Sequence, residues 1–493
     1  MINKPAVPLL ASFLLGGLTV LCFAPFEWWW LSFFTLAGLF KLLWSCNARN
    51  GFLIGFSFGL GLYLFGTSWV YISLSTYGGM PLWMGMIAVL GFASLLSLFI
   101  AAFAWLSAHF FSRDSVPRIL AFAVLWPIFE WMKSWVLSGF PWLDIGNSQT
   151  PSWLFAWAPL GGLYLVSLVV AVVACCIVTL RSSHGKSLLP VIVIIMISWW
   201  LNGLQWSYAV GKSLQIGIVQ ANVGLETKWQ AANRQSVIQS YSLLANELSQ
   251  DSQLDLVVLP ETALPLYLQQ AEPSFWADFK PEGVALLTGI LDSPSLSEGS
   301  LDKVYNAAAL VCGDQTQVYR KRHLVPFGEY IPLRFLFNWV LDYLQLPMND
   351  LSAWQGQQSL ECGDTLKIGL SICYEDAFSG EYQRNLDDAT LLVNISEDAW
   401  FGDSLAPHQR QQMAQMRARA LARPMIRSAN SGPSTFINER GQKTLETAQF
   451  SVQTVSHEVQ PQAGDTPFKR WGVWIIYLCL LSFGILLLIR RRN

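Results

Sequence analysis

The chain has 493 residues, 53% of them hydrophobic and 14% aromatic, with only 13% charged and a mean hydropathy of +0.38. These values exclude a purely soluble protein, and the length exceeds one ordinary domain. The net charge of −2 says nothing about partners, and no basic cluster suggests a nucleic-acid partner.

In chain order, apolar stretches fall at 6–25, 28–46, 51–74, 82–111, 117–137, 153–180 and 187–206, with one more at 471–489. A bilayer core takes roughly 20 helical residues to cross. The expectation is therefore transmembrane helices 1–7 over residues 1–212, a globular domain over 213–470, and a C-terminal transmembrane helix with a basic tail over 471–493.

Positive charge accumulates in alternate loops: Lys4, Arg49, Arg113 with Arg118, Arg181 with Lys186, and Arg490 to Arg492. The intervening loops offer Glu27, the uncharged "STYGGMP" and Asp144. Lys/Arg-rich loops stay cytoplasmic, so the globular domain is expected on the far side, periplasmic in a bacterium with two membranes. A cleaved N-terminal signal is disfavoured: the first run continues into "FAPFEWWW" without a small-residue cleavage pattern, and its removal would upset the charge alternation.

Five of the eight cysteines, Cys22, Cys46, Cys175, Cys176 and Cys479, lie in or beside apolar runs, where packing accounts for them. Cys312, Cys362 and Cys373 lie in the globular part. An oxidising compartment permits a Cys312–Cys362 bridge, which spacing alone cannot establish. No spacing resembles a zinc site, and no cofactor is expected.

The globular part alternates β-rich and helical patterns. Strands are predicted at 214–223, 254–265, "GVALLTGILD", "KVYNAAALVC", 365–376 and 389–402, helices at 233–248 and 407–422, and a hairpin over 425–441. Polar residues cluster past the carboxyl ends of these strands, where α/β sheets place their sites.

Three such positions carry complementary chemistry. Glu261 follows "VVLP", Lys321 lies in "VYRKRHLVPFGEYIP", and Cys373 ends "IGLSI". A thiol needs a proton acceptor, which a carboxylate supplies. A lysine with the backbone N–H of Tyr374 can hold the oxyanion of a tetrahedral intermediate. Removing that acceptor is expected to move Cys373 ionisation to higher pH. His323 and His408 share the domain, so a Cys-His site is the competing chemistry. In the apolar part, Glu130 and Lys133 are spaced for an ion pair on one helix face, although ionisable groups in such spans are often functional.

With "LPETALP", "YRKRHLVPFGEYIP", "SICYED", "NISEDAWFG", "FAPF", "GTSWVYISL" and "GFPWLDIGNS" in this order, the whole chain resembles the apolipoprotein N-acyltransferase family, a membrane-bound branch of the nitrilase superfamily. The resemblance implies a bundle of about eight transmembrane helices plus an extracytoplasmic α-β-β-α sandwich. It implies an enzyme of the bacterial inner membrane, using no metal, that works as a monomer. The acyl chain of a phospholipid would pass through a cysteine thioester to the α-amino group of a diacylglyceryl-cysteine apolipoprotein. Glu261, Lys321 and Cys373 match the triad. Glu329 matches a second glutamate that supports the lysine, while Trp229, Tyr374 and Glu375 match positions around the pocket and its lids. Two residues depart from the pattern: Glu397 stands where Asn is usual, and Ala420 where Glu is common.

Overall fold

A computed structural model of the protein describes residues 6–298, 302–332, 335, 350–356, 359–384, 386 and 388–492. A helix occupies each apolar stretch: Ala6–Thr19, Leu31–Trp44, Ala48–Gly66, Leu82–Phe110, Val116–Lys133, Ala158–Thr179, Leu188–Asn202 and Trp474–Arg492. Among the described residues, Leu82–Phe110 and Trp153–Thr179 are by themselves long and apolar enough to cross a bilayer. Ala48–Gly66 with Val70–Tyr77 joins them if that pair, bent by 58°, counts as one span. Four of the other helices are shorter, and Val116–Lys133 carries Arg118, Glu130 and Lys133.

Local chemistry sets the helix ends and their packing. Asn47 caps Ala48–Gly66 by accepting from Asn50 N, and Ser115 caps Val116–Lys133 by accepting from Arg118 N. Small residues let the first and third of these helices touch: a Cβ on Gly16 would lie 1.9 Å from Phe58 O, and one on Gly61 would lie 2.1 Å from Phe13 O.

The expected Glu130–Lys133 pair is not formed. The loop after Val116–Lys133 folds back and offers Asp144, which lies 2.7 Å from Lys133 Nζ. Lys133 also donates to Trp142 O and Tyr63 Oη. Glu130 Oε1 is occupied instead by Trp126 Nε1 and Ile145 N.

The globular part holds two six-stranded sheets. Each has a core of three parallel strands: Leu214–Gln220, Leu256–Val258 and Ala285–Asp292 in one, Leu366–Ile372, Leu391–Ser396 and Met425–Ala429 in the other. Antiparallel strands flank both. Gln453–Val459 and the pair Tyr305–Cys312 and Gln315–Arg320 extend the first; Leu360–Cys362 and the pair Thr435–Ile437 and Lys443–Glu446 extend the second. Arg234–Asp251 packs on the first sheet and Ala406–Leu421 on the second. Between the sheets, Ser428 Oγ donates to Val258 O. Both sheets are buried on both faces at their centres, as parallel strands require.

The Cys312–Cys362 disulfide is formed, with a sequence separation of 50, and ties the end of Tyr305–Cys312 in the first sheet to the edge strand Leu360–Cys362 of the second. Gln317 and Glu361 reinforce that seam by exchanging two hydrogen bonds.

The helical and globular parts meet through Ala406–Leu421. Gln409 accepts from Trp142 Nε1 and donates to Gly66 O, while Gln412 accepts from Ala24 N. Trp69 packs edge-on against Phe401, and Ser73 Oγ donates to Trp400 O.

Candidate active site

Glu261 lies just past Leu256–Val258, at a bend where the next residue, Thr262, has φ 47°. Gly289 makes room for that bend, since a Cβ there would lie 2.2 Å from Thr262 N and 2.5 Å from Pro260 O. The Glu261 carboxylate is buried. Oε1 accepts from Asn306 Nδ2 (2.7 Å) and Oε2 from the backbone N–H of Glu397 (2.9 Å).

Lys321 follows Gln315–Arg320 and is fixed by its backbone N–H to Asn306 O (2.8 Å). Its Nζ lies 2.9 Å from Glu329 Oε1 and 3.5 Å from Glu261 Oε1. Asn306 Nδ2 also donates to Glu329 Oε1, and Val325 N donates to Glu329 Oε2. Burial alone lowers an ammonium pKa, but Glu329 and Glu261 outweigh it and hold Lys321 above the usual lysine range. Lys321 is therefore a fixed cation.

Cys373 follows Leu366–Ile372 at a left-handed turn, with φ 51°, a strained backbone for a residue with a side chain. Its carbonyl accepts from Arg410 Nη2 (2.6 Å) and Asn394 Nδ2 (3.1 Å), and Arg410 Nη1 lies 3.7 Å from Sγ. Arg410 is itself held by Ser396, Asp398 (2.6 Å) and Asp376 (3.4 Å). Asp398 also binds Arg427; these two guanidiniums outweigh burial and hold its carboxyl below the ordinary range. Burial, then the charge of Glu261, pushes the Cys373 thiol up to about 12 against the opposing pull of Arg410 and Lys321. This reverses one expectation: Glu261 as a charge disfavours the free thiolate, so neutralising it eases direct ionisation.

The remaining positions separate. Glu375 braces the site: Oε1 accepts from Arg322 N and His323 N, and Oε2 from Ile372 N and Tyr319 Oη. It thereby ties the turn of Cys373 to the segment carrying Lys321. Tyr374 donates to Gly139 O and packs against Trp142 and Phe378. Trp229 is half-buried after the short helix Leu225–Lys228 and, among the described residues, makes no hydrogen bond or ring contact with the triad. His323 lies between Glu381 and Ser138 O, stacked on Phe378; His408 is half-buried on Ala406–Leu421. Neither histidine is hydrogen-bonded to Cys373.

Asn306, Arg410, Asn394, Asp398 and Asn430 escaped the sequence reading. Asn306 carried a signal, as the single amide in the buried run "YNAAALV".

Residues 15–176 match the apolipoprotein N-acyltransferase N-terminal domain, and residues 215–467 match the carbon-nitrogen hydrolase family. Three curated relatives are named apolipoprotein N-acyltransferase. That of Methylococcus capsulatus is 35% identical over 97% of this chain and 96% of its own. The protein of Pseudomonas syringae pv. tomato is 35% identical over 99% and 98%, and that of Azotobacter vinelandii 36% over 99% and 97%.

Proposed function

Since the chain belongs to the apolipoprotein N-acyltransferase family, within the carbon-nitrogen hydrolase superfamily, we propose that Cys373 is the residue on which the transferred acyl group rides. The enzyme is an acyltransferase of lipoprotein biosynthesis, and N-acylation is the last step of lipoprotein maturation. The finer reading concerns how this chain performs it.

Glu261 takes the proton of Cys373 as Sγ attacks the ester carbonyl of a phospholipid. Lys321 Nζ and the N–H of Tyr374 hold the oxyanion. Its collapse expels the lysophospholipid alkoxide, which recovers the proton from Glu261 and leaves a thioester. The α-amine of the diacylglyceryl-cysteine then attacks the thioester, Glu261 accepts the amine proton, and the second oxyanion collapses to amide and thiol. Glu329 and Asn306 position Lys321 and Glu261, Glu375 braces the nucleophile turn, and Trp229 contacts substrate at the rim.

The observation that carries this reading is the convergence of the three groups. Lys321 Nζ stands 3.5 Å from Glu261 Oε1, and both charges act on the Cys373 thiol. The alternation of Lys/Arg between loops supports eight crossings in the inner membrane, with the catalytic part, 213–470, on the periplasmic side between the helices of 1–212 and 471–493. The disulfide supports an oxidising compartment for it. One chain supplies the whole triad, which supports a monomeric working unit.

Mass spectrometry of the purified protein incubated with phospholipid tests the assignment. One acyl chain on the peptide containing Cys373, discharged by a diacylglyceryl lipopeptide, is the expected result. An unmodified Cys373 under conditions where the lipopeptide becomes N-acylated would refute it.

A further inference from the structure

A polar pocket lies away from the triad, where the chain leaves Leu188–Asn202. Its volume is about 320 Å³, and Trp206, Ser207, Tyr208, Arg419, Glu439 and Arg440 line it. Arg419 stands on Ala406–Leu421 nine residues after Arg410, about 14 Å further along the helix.

Arg419 is 4% exposed, yet its guanidinium makes no hydrogen bond among the described residues, and Nη2 is a buried donor without a partner. The indole N–H of Trp206 is a second buried, unpartnered donor on the same pocket. Buried polar groups are almost always satisfied, and an unpaired charge is the most costly exception. Burial and the neighbouring Arg440 hold the Arg419 pKa down to about 10, which marks a cation lacking an adequate counter-charge. A guanidinium and an indole can only donate, so the missing partner is an acceptor, and an anionic one.

Location and charge narrow its class. Trp199 and Trp200, at the end of Leu188–Asn202, are 82% and 60% exposed, and exposed indoles there fit the headgroup level of a bilayer. The ionisable lining is Arg419 and Arg440 against Glu439, a net +1. That sum matches a phosphodiester, which carries one charge, better than inorganic phosphate, a mixture of monoanion and dianion at neutral pH.

We propose that this pocket holds the phosphodiester of a membrane phospholipid as a second lipid site, separate from the one where acyl transfer occurs. The inference rests on the reading that Leu188–Asn202 lies in a bilayer. Arg419 pairs with the phosphate oxygens and Trp206 Nε1 donates a further hydrogen bond. The site anchors the catalytic half at headgroup level on the side of the helix opposite to the contacts with Cys373.

Native mass spectrometry of the full-length protein in detergent, titrated with dioctanoyl phosphatidylglycerol, tests the assignment. Arg419→Met should weaken retention of one lipid by about tenfold, the loss of one charge-assisted interaction. Trp206→Phe, which keeps an aromatic ring, should weaken it several-fold and decides the matter if Arg419→Met does not fold. Excess inorganic phosphate, or glycerophosphoglycerol without acyl chains, should fail to displace that lipid. Wild-type retention in both variants would overturn the site, and displacement by either soluble competitor would overturn its lipid source. The acyl adduct on Cys373 is a separate readout: lipid retention that depends on Arg419 without any adduct would leave this site standing while the catalytic reading failed.

Discussion

Lys228 Nζ and Glu397 Oε2 lie 2.5 Å apart in a buried ion pair that meets the backbone around Glu261. Lys228 also donates to Glu261 O and Thr262 Oγ1, and the N–H of Glu397 donates to the Glu261 carboxylate. Asn430 Nδ2 reaches both oxygens of Glu397. The glutamate that departs from the family pattern is thus matched by a lysine. Glu397→Asn, which installs the usual residue, should leave Lys228 uncompensated and cost about 3 kcal/mol. Lys228→Met combined with Glu397→Asn should recover part of that loss. Thermal unfolding of the wild type, Glu397→Asn, Lys228→Met and the double variant in one detergent provides the check, and strictly additive losses would show that the two side chains are not coupled.

Alkylation of Cys373 should separate the two charges that flank it. With the thiol pushed up to about 12, thiolate is scarce below that pH, so the alkylation rate of the wild type should keep climbing through the alkaline range. Glu261→Gln removes a charge that raises the pKa, so its profile should move to lower pH. Acyl transfer near neutrality should nonetheless be lost, because the proton acceptor is gone. A profile that moves to higher pH in Glu261→Gln would mean that the carboxylate acts on the resting thiol chiefly as an acceptor.

Lys321→Ala should move the alkylation profile the other way, since its charge favours the thiolate. The larger effect falls on transfer. Loss of an oxyanion donor costs on the order of 3–4 kcal/mol, and both half-reactions pass through an oxyanion. Single-turnover measurements should show formation and discharge of the thioester slowed together by about two to three orders of magnitude.

A single covalent intermediate requires that lysophospholipid leave before the lipopeptide is acylated. Initial rates measured while both substrates are varied should therefore give parallel double-reciprocal lines. Intersecting lines would point to direct transfer within a ternary complex.

The disulfide closes a loop of about 50 residues that includes Lys321 and Glu329. Its loss should cost about 4 kcal/mol by loop entropy. The Cys312→Ala, Cys362→Ala protein should unfold at lower temperature than the wild type and gain no further sensitivity to reductant, while Cys373 stays alkylatable. Equal melting of the wild type with and without reductant would argue that the bridge adds nothing to stability.

Glu261 and Cys373 stood out because each ends a buried strand, and burial of parallel strands writes near-continuous apolar runs, whereas Lys321 was singled out by its motif alone. The flanking strands Gln315–Arg320, Lys443–Glu446 and Gln453–Val459 were not legible, as their half-exposed residues mix polar and apolar side chains without a clean alternation. Lys133 illustrates a different limit. Its spacing from Glu130 advertised a local pair, but a loop closing from eleven residues downstream brought Asp144 closer. Arg410 was hidden for a similar reason: one arginine in "PHQRQQMAQMRARA" looks like its neighbours until Asp398, Asp376 and the carbonyl of Cys373 gather around it.

Ala406–Leu421 touches the helical half through Gln409 and Gln412, while Arg410, between them in sequence, grips the turn at Cys373. The two halves are consequently not interchangeable modules. A fragment cut at residue 213 would retain every triad side chain yet release the partners that hold this helix in place, so secretion of the catalytic half alone should yield a folded sheet sandwich with a slack nucleophile. Choice of detergent acts on the same joint: one that loosens Trp142 or Ala24 should extinguish turnover at temperatures where the sheets remain intact.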